Sequence, residues 1–339
     1  LNIDEIKQKL RSQEYDFLRI NEHLGNNIIL LTTGGSYAYG TNIDTKEHTS
    51  DLDIRGICVE RPKEIIGLSS FEQFENKETD TTIYGLRKVI KLLLNCNPNV
   101  IEILGTKDEH LFICTKAGKL LRDNLDLFIS KKAISSFGGY STAQLRRLQN
   151  ALARDSYPQK EKEEHILKSI ESQMLTMQDR YKEVKNEELK LYIDKSDKED
   201  LESEIFIDIS LKHYPLRDFK NIYSEMTQIV KDYDKLTHRN SKKDTLHLNK
   251  HAMHLIRLLL MGTEILEGKG VNTHREKDIE LLLNIRNGKY SYNEIFEMVN
   301  DYDKQFKYAA EHTELQNNPD YKKVEELVME INRGVINGQ

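Results

Sequence analysis

The sequence predicts an α+β protein: a small mixed sheet with flanking helices, followed by an all-helical C-terminal domain. Short apolar and β-branched runs bounded by turn residues are confined to residues 27–104. Beyond about residue 116 the apolar positions recur almost only at helical spacing. The 339 residues have room for two domains. The division is expected at 1–120 for the sheet domain and 121–339 for the helical one, with a charged helical insertion around 156–215.

In order along the chain, Ile6, Leu10, Phe17, Leu18 and Leu24 give residues 4–24 an apolar stripe and predict a helix. Residues 27–33 read as a buried strand and 34–50 as a loop rich in Gly, Thr and Asn. Residues 51–60 read as a second strand, with Leu52, Ile54, Ile57 and Val59 on one face and a stop at Arg61-Pro62. A third strand covers Glu78 to Ile83. A helix from about Tyr84 to Leu94, a turn at Asn95–Asn99 and an apolar run at Val100–Leu104 follow. Helices are then expected at 130–153, 159–194 (charge-dense), 218–236, 245–267, 275–287, 292–308 and 320–333, while 199–213 is shorter and ambiguous in pattern.

Composition excludes several classes. No apolar run approaches the roughly 20 residues of a membrane span, and Leu1-Asn2-Ile3-Asp4-Glu5 is a polar helix start without the parts of a signal peptide. Cys58, Cys96 and Cys114 show neither metal-ligand spacing nor a disulfide framework, which points to the reducing cytoplasm. A net charge of −6 argues against avid, sequence-blind nucleic-acid binding, while leaving room for a local basic groove.

The chemistry concentrates between residues 33 and 80. Strand Ile28–Thr32 runs into Gly34-Gly35-Ser36, where missing side chains let backbone N–H groups approach a phosphate and Ser36 adds a hydroxyl. Asp51 and Asp53 are one residue apart, so on a strand they share a face at roughly 7 Å. Two ionised carboxylates aimed at one point repel unless a cation lies between them. Mg²⁺ is the cation suited to hard oxygens beside phosphates. The arrangement reads as a metal-dependent nucleoside triphosphate site. Asp80 supplies a third carboxylate, with Glu78 two residues away as its rival.

Gly35-Ser36, Tyr39-Gly40, Ser50-Asp51-x-Asp53-x-Arg55-Gly56 and the later Asp80 resemble the DNA polymerase β-type nucleotidyltransferase superfamily. More narrowly, they resemble its RNA-repair-ligase-associated (RlaP-like) branch. That likeness extends to Leu86-Arg87-Lys88, to Asn97-Pro98-Asn99-Val100-Ile101-Glu102, to Lys250–Leu259 with Glu264, and to Ile285-Arg286-Asn287-Gly288. It implies a polymerase-β-like catalytic domain and transfer of a nucleoside monophosphate from an NTP, ATP first among them, to an acceptor hydroxyl. Asp51, Asp53 and Asp80 would then be catalytic residues and metal ligands for two Mg²⁺ ions, for which Mn²⁺ can substitute. The acceptor implied is an RNA end, damaged tRNA included. A protein or small-molecule acceptor is the alternative, and a non-catalytic nucleotide-binding module is the contrasting class.

Nucleotide contacts are expected from Gly35, Ser36 and Arg55, with Arg55 either facing the cleft or bracing the carboxylates. Lys250, His254 and Arg257 recur at i, i+4 and i+7 in an otherwise apolar helix. Such a stripe should meet an anion: the triphosphate, an acceptor phosphate or acidic side chains. His247, His251 and His254 have zinc-compatible spacing but lack a fourth ligand, which favours structural or phosphate-contacting roles. Arg87, Lys88 and Lys91 read best as a solvated face. Tyr140, Gln144 and Arg147 form an aromatic and cationic face suited equally to base stacking and to ordinary packing.

Overall fold

The computed structural model describes residues 1–44, 49–156, 189–197, 203–217 and 245–337, with scattered positions between 164 and 227. Packing divides the chain into two compact units, Leu1–Gln144 with Asn249–Gln339, and Leu145–Leu248.

The first unit is built on a five-stranded mixed sheet. Its strands are β1 (Ile28–Thr33), β2 (Ile54–Cys58), β3 (Gln73–Asn76), β4 (Thr81–Gly85) and β5 (Leu111–Cys114), in the order β3-β4-β2-β1-β5. β1 is antiparallel to β2 and β5, β4 is antiparallel to β3, and β2 and β4 run parallel. β1 is buried at every position, as its unbroken Ile-Ile-Leu-Leu run requires of a strand covered on both faces. In β4, buried Thr81, Ile83 and Gly85 alternate with half-buried Thr82 and Tyr84, so one face enters the core and the other lines a cleft.

The expected helix at 4–24 is instead three pieces: Ile3–Leu10, a 3-10 turn at Gln13–Tyr15 and Phe17–Ile20. The stripe residues Ile6, Leu10, Leu18 and Leu24 are nonetheless buried, packed with Ile28, Leu31, Ile54 and Ile83. Gly34–Ser50 is not loop throughout, because Gly35–Tyr39 forms a short helix closed by left-handed Gly40 at φ +78°. The second strand begins at Ile54 rather than at Asp51. Val100–Leu104 belongs to a helix, Pro98–Leu104, which Asn97 caps and Pro98 opens. Helices at Leu86–Leu93, Lys132–Ser156, Thr245–Leu266, Ile279–Arg286, Tyr292–His312 and Tyr321–Ile336 lie within a few residues of expectation. Those after Asn249 belong to the same unit as the sheet.

The second unit corrects the all-helical expectation. It carries an antiparallel pair, β6 (Leu189–Lys195) and β7 (Ser203–Ile209), with Tyr192 opposite Phe206. The end of the expected helix 159–194 is therefore strand, and the ambiguous segment 199–213 resolves as strand at its core. Ile205, Ile207 and Ile209 alternate with Glu204, Phe206 and Asp208, a period of two. Most of 159–188 and of the expected helix 218–236 lies outside the described residues. Among the described residues, no helix is long and apolar enough to cross a membrane.

Candidate active site

Where β1 ends, the chain turns through Gly34 and Gly35 against the start of β2. The Gly34 N–H donates to the Asp53 carbonyl at 2.8 Å. A Cβ on Gly34 would sit 2.6 Å from Arg55 Cγ, and one on Gly35 would overlap the Asp53 carboxylate. Gly35 also has φ +52°, in the left-handed region. Both glycines are thus required by the approach of the turn to Asp53 and Arg55.

The parallel pairing of β2 with β4 sets Ile54 opposite Thr81 and so brings the preceding residues, Asp53 and Asp80, side by side. The Ile54 N–H donates to the Asp80 carbonyl at 3.1 Å, and the two carboxyl groups share a side-chain hydrogen bond. Arg55 spans them. Its Nη2 donates to Asp53 Oδ1 at 3.0 Å and to Asp80 Oδ1 at 3.2 Å, and its Nη1 donates to the Asp80 carbonyl at 2.6 Å. Arg55 therefore braces the carboxylates while also lining the cavity, which unites its two expected roles.

Burial pushes the Asp53 carboxyl up to about 7, helped by the hydrogen bond and charge of Asp80 and opposed by Arg55 and Lys250. For Asp80 partial burial works upward, but the hydrogen bond with Asp53 and the charge of Arg55 hold it below the usual range. Of the two, Asp53 is thus the carboxylate that holds a proton more readily.

Asp53 and Arg55 face a cavity of about 320 Å³; Asp80 does not line it and is tied to it through the Arg55 guanidinium. One wall is the turn Thr33–Ser36, and Asp53 and Arg55 lie at its centre. Thr82 and Tyr84 project from β4, Asn99 and Glu102 from the helix Pro98–Leu104, and Lys250 and His254 from the helix Thr245–Leu266. Gly35 and Ser36 open a helix, and the N–H groups of a first helical turn have no acceptor within the helix.

The cationic stripe divides. Lys250 is exposed at the cavity and electrostatically felt by both carboxylates. His254 is held neutral, pushed well below its ordinary value by burial and by Arg257 and Lys250. Arg257 does not line the cavity. It is buried in an ion pair with Glu102, its guanidinium 3.8 Å from the Tyr39 ring centroid, and Tyr39 Oη donates to Glu102 at 2.6 Å. The anion that Arg257 meets is thus a carboxylate of the protein itself.

Asp51 stands apart from Asp53. Alternation does not govern the two, because both precede β2, and Asp51 is exposed outside the cavity. The neck of its loop is closed by Ser50, whose N–H donates to the Ile43 carbonyl and whose Oγ accepts from the Ile43 N–H, each at 2.8 Å. Buried Arg286 staples that neck, donating to the Thr41 carbonyl at 2.6 Å and to Ser50 Oγ at 2.9 Å. Glu78 lies in the turn before β4, off any strand, and does not line the cavity.

Among the described residues no three His, Cys, Asp or Glu side chains are gathered around a point that could hold a metal ion. His251 instead shares a hydrogen bond with Gln144 at 3.2 Å. Asp53 and Asp80 do fit a divalent cation: they are two hard oxygen donors brought together on one guanidinium. Mg²⁺ is commonly held by one or two carboxylates together with substrate phosphates.

Sequence reasoning left Thr82, Tyr84, Asn99 and Glu102 out of the site. The first two could have been found from the alternation of Thr82 and Tyr84 with the apolar Ile83. Glu102 could have been found as the one acid among Val100, Ile101, Ile103 and Leu104, matching Arg257 in an equally apolar helix.

A mixed sheet with a Gly-Ser turn after one strand and carboxylates before two parallel neighbours is consistent with the polymerase-β-like class. The chain belongs to the RNA repair pathway DNA polymerase beta family (RlaP), whose model matches residues 10–330. No curated protein and no solved structure matches it.

Proposed function

We propose that the chain is a metal-dependent nucleotidyltransferase that moves a nucleoside monophosphate from an NTP to a hydroxyl at an RNA end, releasing pyrophosphate. The observation that carries this reading is Asp53, bridged to Asp80 by Arg55 and facing Gly35-Ser36 across one cavity. Family membership supports the nucleotidyl-transfer class and RNA repair as its setting.

In this reading the triphosphate lies against Gly35 and Ser36, with Lys250 supplying the mobile positive charge and neutral His254 a hydrogen bond. Asp53 and Asp80 would hold Mg²⁺, and Asp51, which stands outside the cavity in this structure, would have to turn inward to complete a two-ion set. When bound, the ions neutralise phosphate charge and acidify the attacking hydroxyl. Asp80 lies on the acceptor side. The hydroxyl oxygen bonds to the α-phosphorus, the bond from that phosphorus to the bridging oxygen breaks, and pyrophosphate carries the electron pair away. The hydroxyl proton passes toward the Asp53–Asp80 carboxylates. Arg55 keeps both carboxylates aimed throughout, so that catalysis is chiefly positioning and charge stabilisation. ATP is the first NTP to try. The free thiols of Cys58, Cys96 and Cys114 suit a cytoplasmic enzyme.

The test is incubation of the protein with each α-labelled NTP, Mg²⁺ and total RNA, followed by separation of RNA, protein and small products. Label in RNA supports the reading. Label on protein or on a small product moves the acceptor to those classes, and no transfer with any NTP contradicts the enzyme.

A further inference from the structure

The order β4-β2-β1 sets side by side the Gly-Ser turn after β1, Asp53 before β2 and Asp80 before β4, with the turn, Asp53 and the β4 residues Thr82 and Tyr84 lining the cavity. In-line displacement needs the attacking hydroxyl on the side opposite the leaving group. If the triphosphate occupies the β1 side, the acceptor enters along β4. That wall carries an aromatic ring. Asp80, Thr82 and Tyr84 are spaced by two, and Thr82 and Tyr84 line the cavity, half-buried, while Ile83 between them is fully buried. Each step of two residues advances roughly 7 Å, so Tyr84 stands about one nucleotide length beyond Thr82.

The ring has a cation beside it. Lys88, one turn into the following helix, sits with Nζ 6.0 Å from the Tyr84 centroid, hydrogen-bonded to Gln73 of β3 and paired with exposed Glu72 at 3.4 Å. Asn99, exposed on the neighbouring wall, contributes an amide whose N–H donors and carbonyl have no protein partner among the described residues. An aromatic face with an adjacent cation is the pairing that stacks on nucleobases irrespective of their identity, and an amide beside it can read a base edge.

We infer that Tyr84 is the stacking platform for a base at the acceptor RNA end, with Lys88 near the adjoining phosphate and Asn99 contacting the base edge. This rests on the nucleotidyl-transfer reading and adds the acceptor's binding site to it.

The chain contains no tryptophan, so Tyr84→Trp creates a single fluorophore whose quenching reports stacking without needing turnover. Short RNAs with an intact 3′ end should quench it, and the same RNAs with abasic nucleotides at that end should not. In transfer assays Tyr84→Ala should raise the acceptor KM by roughly 5- to 150-fold, the range expected for one lost base stack. The NTP KM should hold, and Tyr84→Phe should behave as the parent, which separates lost stacking from misfolding. Quenching by NTP alone, equal quenching by abasic RNA, or an unchanged acceptor KM in Tyr84→Ala would overturn the assignment while leaving transfer itself intact. Absence of any RNA binding by the parent would overturn the assignment and the RNA acceptor together, whereas absence of transfer from every NTP would overturn the nucleotidyl-transfer reading.

Discussion

Gly35 packs against the Asp53 carboxylate so closely that no methyl group fits between them. The turn after β1 and the carboxylate before β2 are therefore one surface, and whatever binds one must meet the other. Gly35→Ala would have to move Asp53 as well as strain a backbone at φ +52°. A strained φ of this kind costs about 1 kcal/mol or more. The expected outcome is a loss of pyrophosphate release of at least about 100-fold, since sub-ångström placement of reacting groups matters that much. The fall in thermal midpoint should be only modest. Parent-like turnover in this variant would separate the turn from the chemistry.

The raised Asp53 titration gives a pH signature. An unfolded Asp titrates near 3.9, whereas burial and Asp80 bring Asp53 to about 7 in the folded chain. Between those values the folded state binds more protons than the unfolded one, so this group's contribution to stability falls as pH rises. Asp53→Asn removes the titration. In EDTA it should melt above the parent at pH 8, with the gain vanishing only at about pH 4 and below, where the unfolded chain protonates this group as well. Equal differences at both pH values would contradict the assignment. Mg²⁺ should raise the parent's midpoint at pH 8 and leave that of Asp53→Asn nearly unmoved.

Lys250 and Arg257 share a helix but should respond in opposite ways. Lys250 is exposed at the cavity, so Lys250→Ala should leave stability unchanged and raise the NTP KM roughly 10-fold or more, as for a lost charge-assisted hydrogen bond. Arg257 and Glu102 are both buried. Glu102→Ala leaves an uncompensated guanidinium and should destabilise the fold by about 3–5 kcal/mol. Tyr39→Phe removes one donor to the same carboxylate and should cost about 1 kcal/mol. Denaturant titration of the three variants measures these differences.

What the sequence made legible follows from range. Gly35, Ser36 and Asp53 could be read because glycines and a carboxylate around a strand end have few other reasons to occur together, and Asp80 followed from the strand after it. The strand pairs, by contrast, are set by contacts distant in sequence. That β2 begins at Ile54, leaving Asp51 on an Arg286-stapled loop, depends on a side chain 235 residues later. Arg257 looked like a ligand contact because a single helix cannot display its partner, and Glu102 lies on another. The hairpin β6–β7 was hidden for a different reason: its charges suggested a solvated helix although its apolar residues alternate in twos.

The central claim is that Asp53 and Asp80, joined through Arg55, form the catalytic pair. Pyrophosphate release with NTP, Mg²⁺ and RNA, measured for Asp53→Asn, Asp80→Asn and Glu78→Ala side by side, tests it most directly. Both aspartate variants should lose at least about 100-fold, as expected when groups stabilising transition-state charge are removed, while Glu78→Ala keeps parental turnover. Activity retained by Asp80→Asn, or lost by Glu78→Ala, would contradict it.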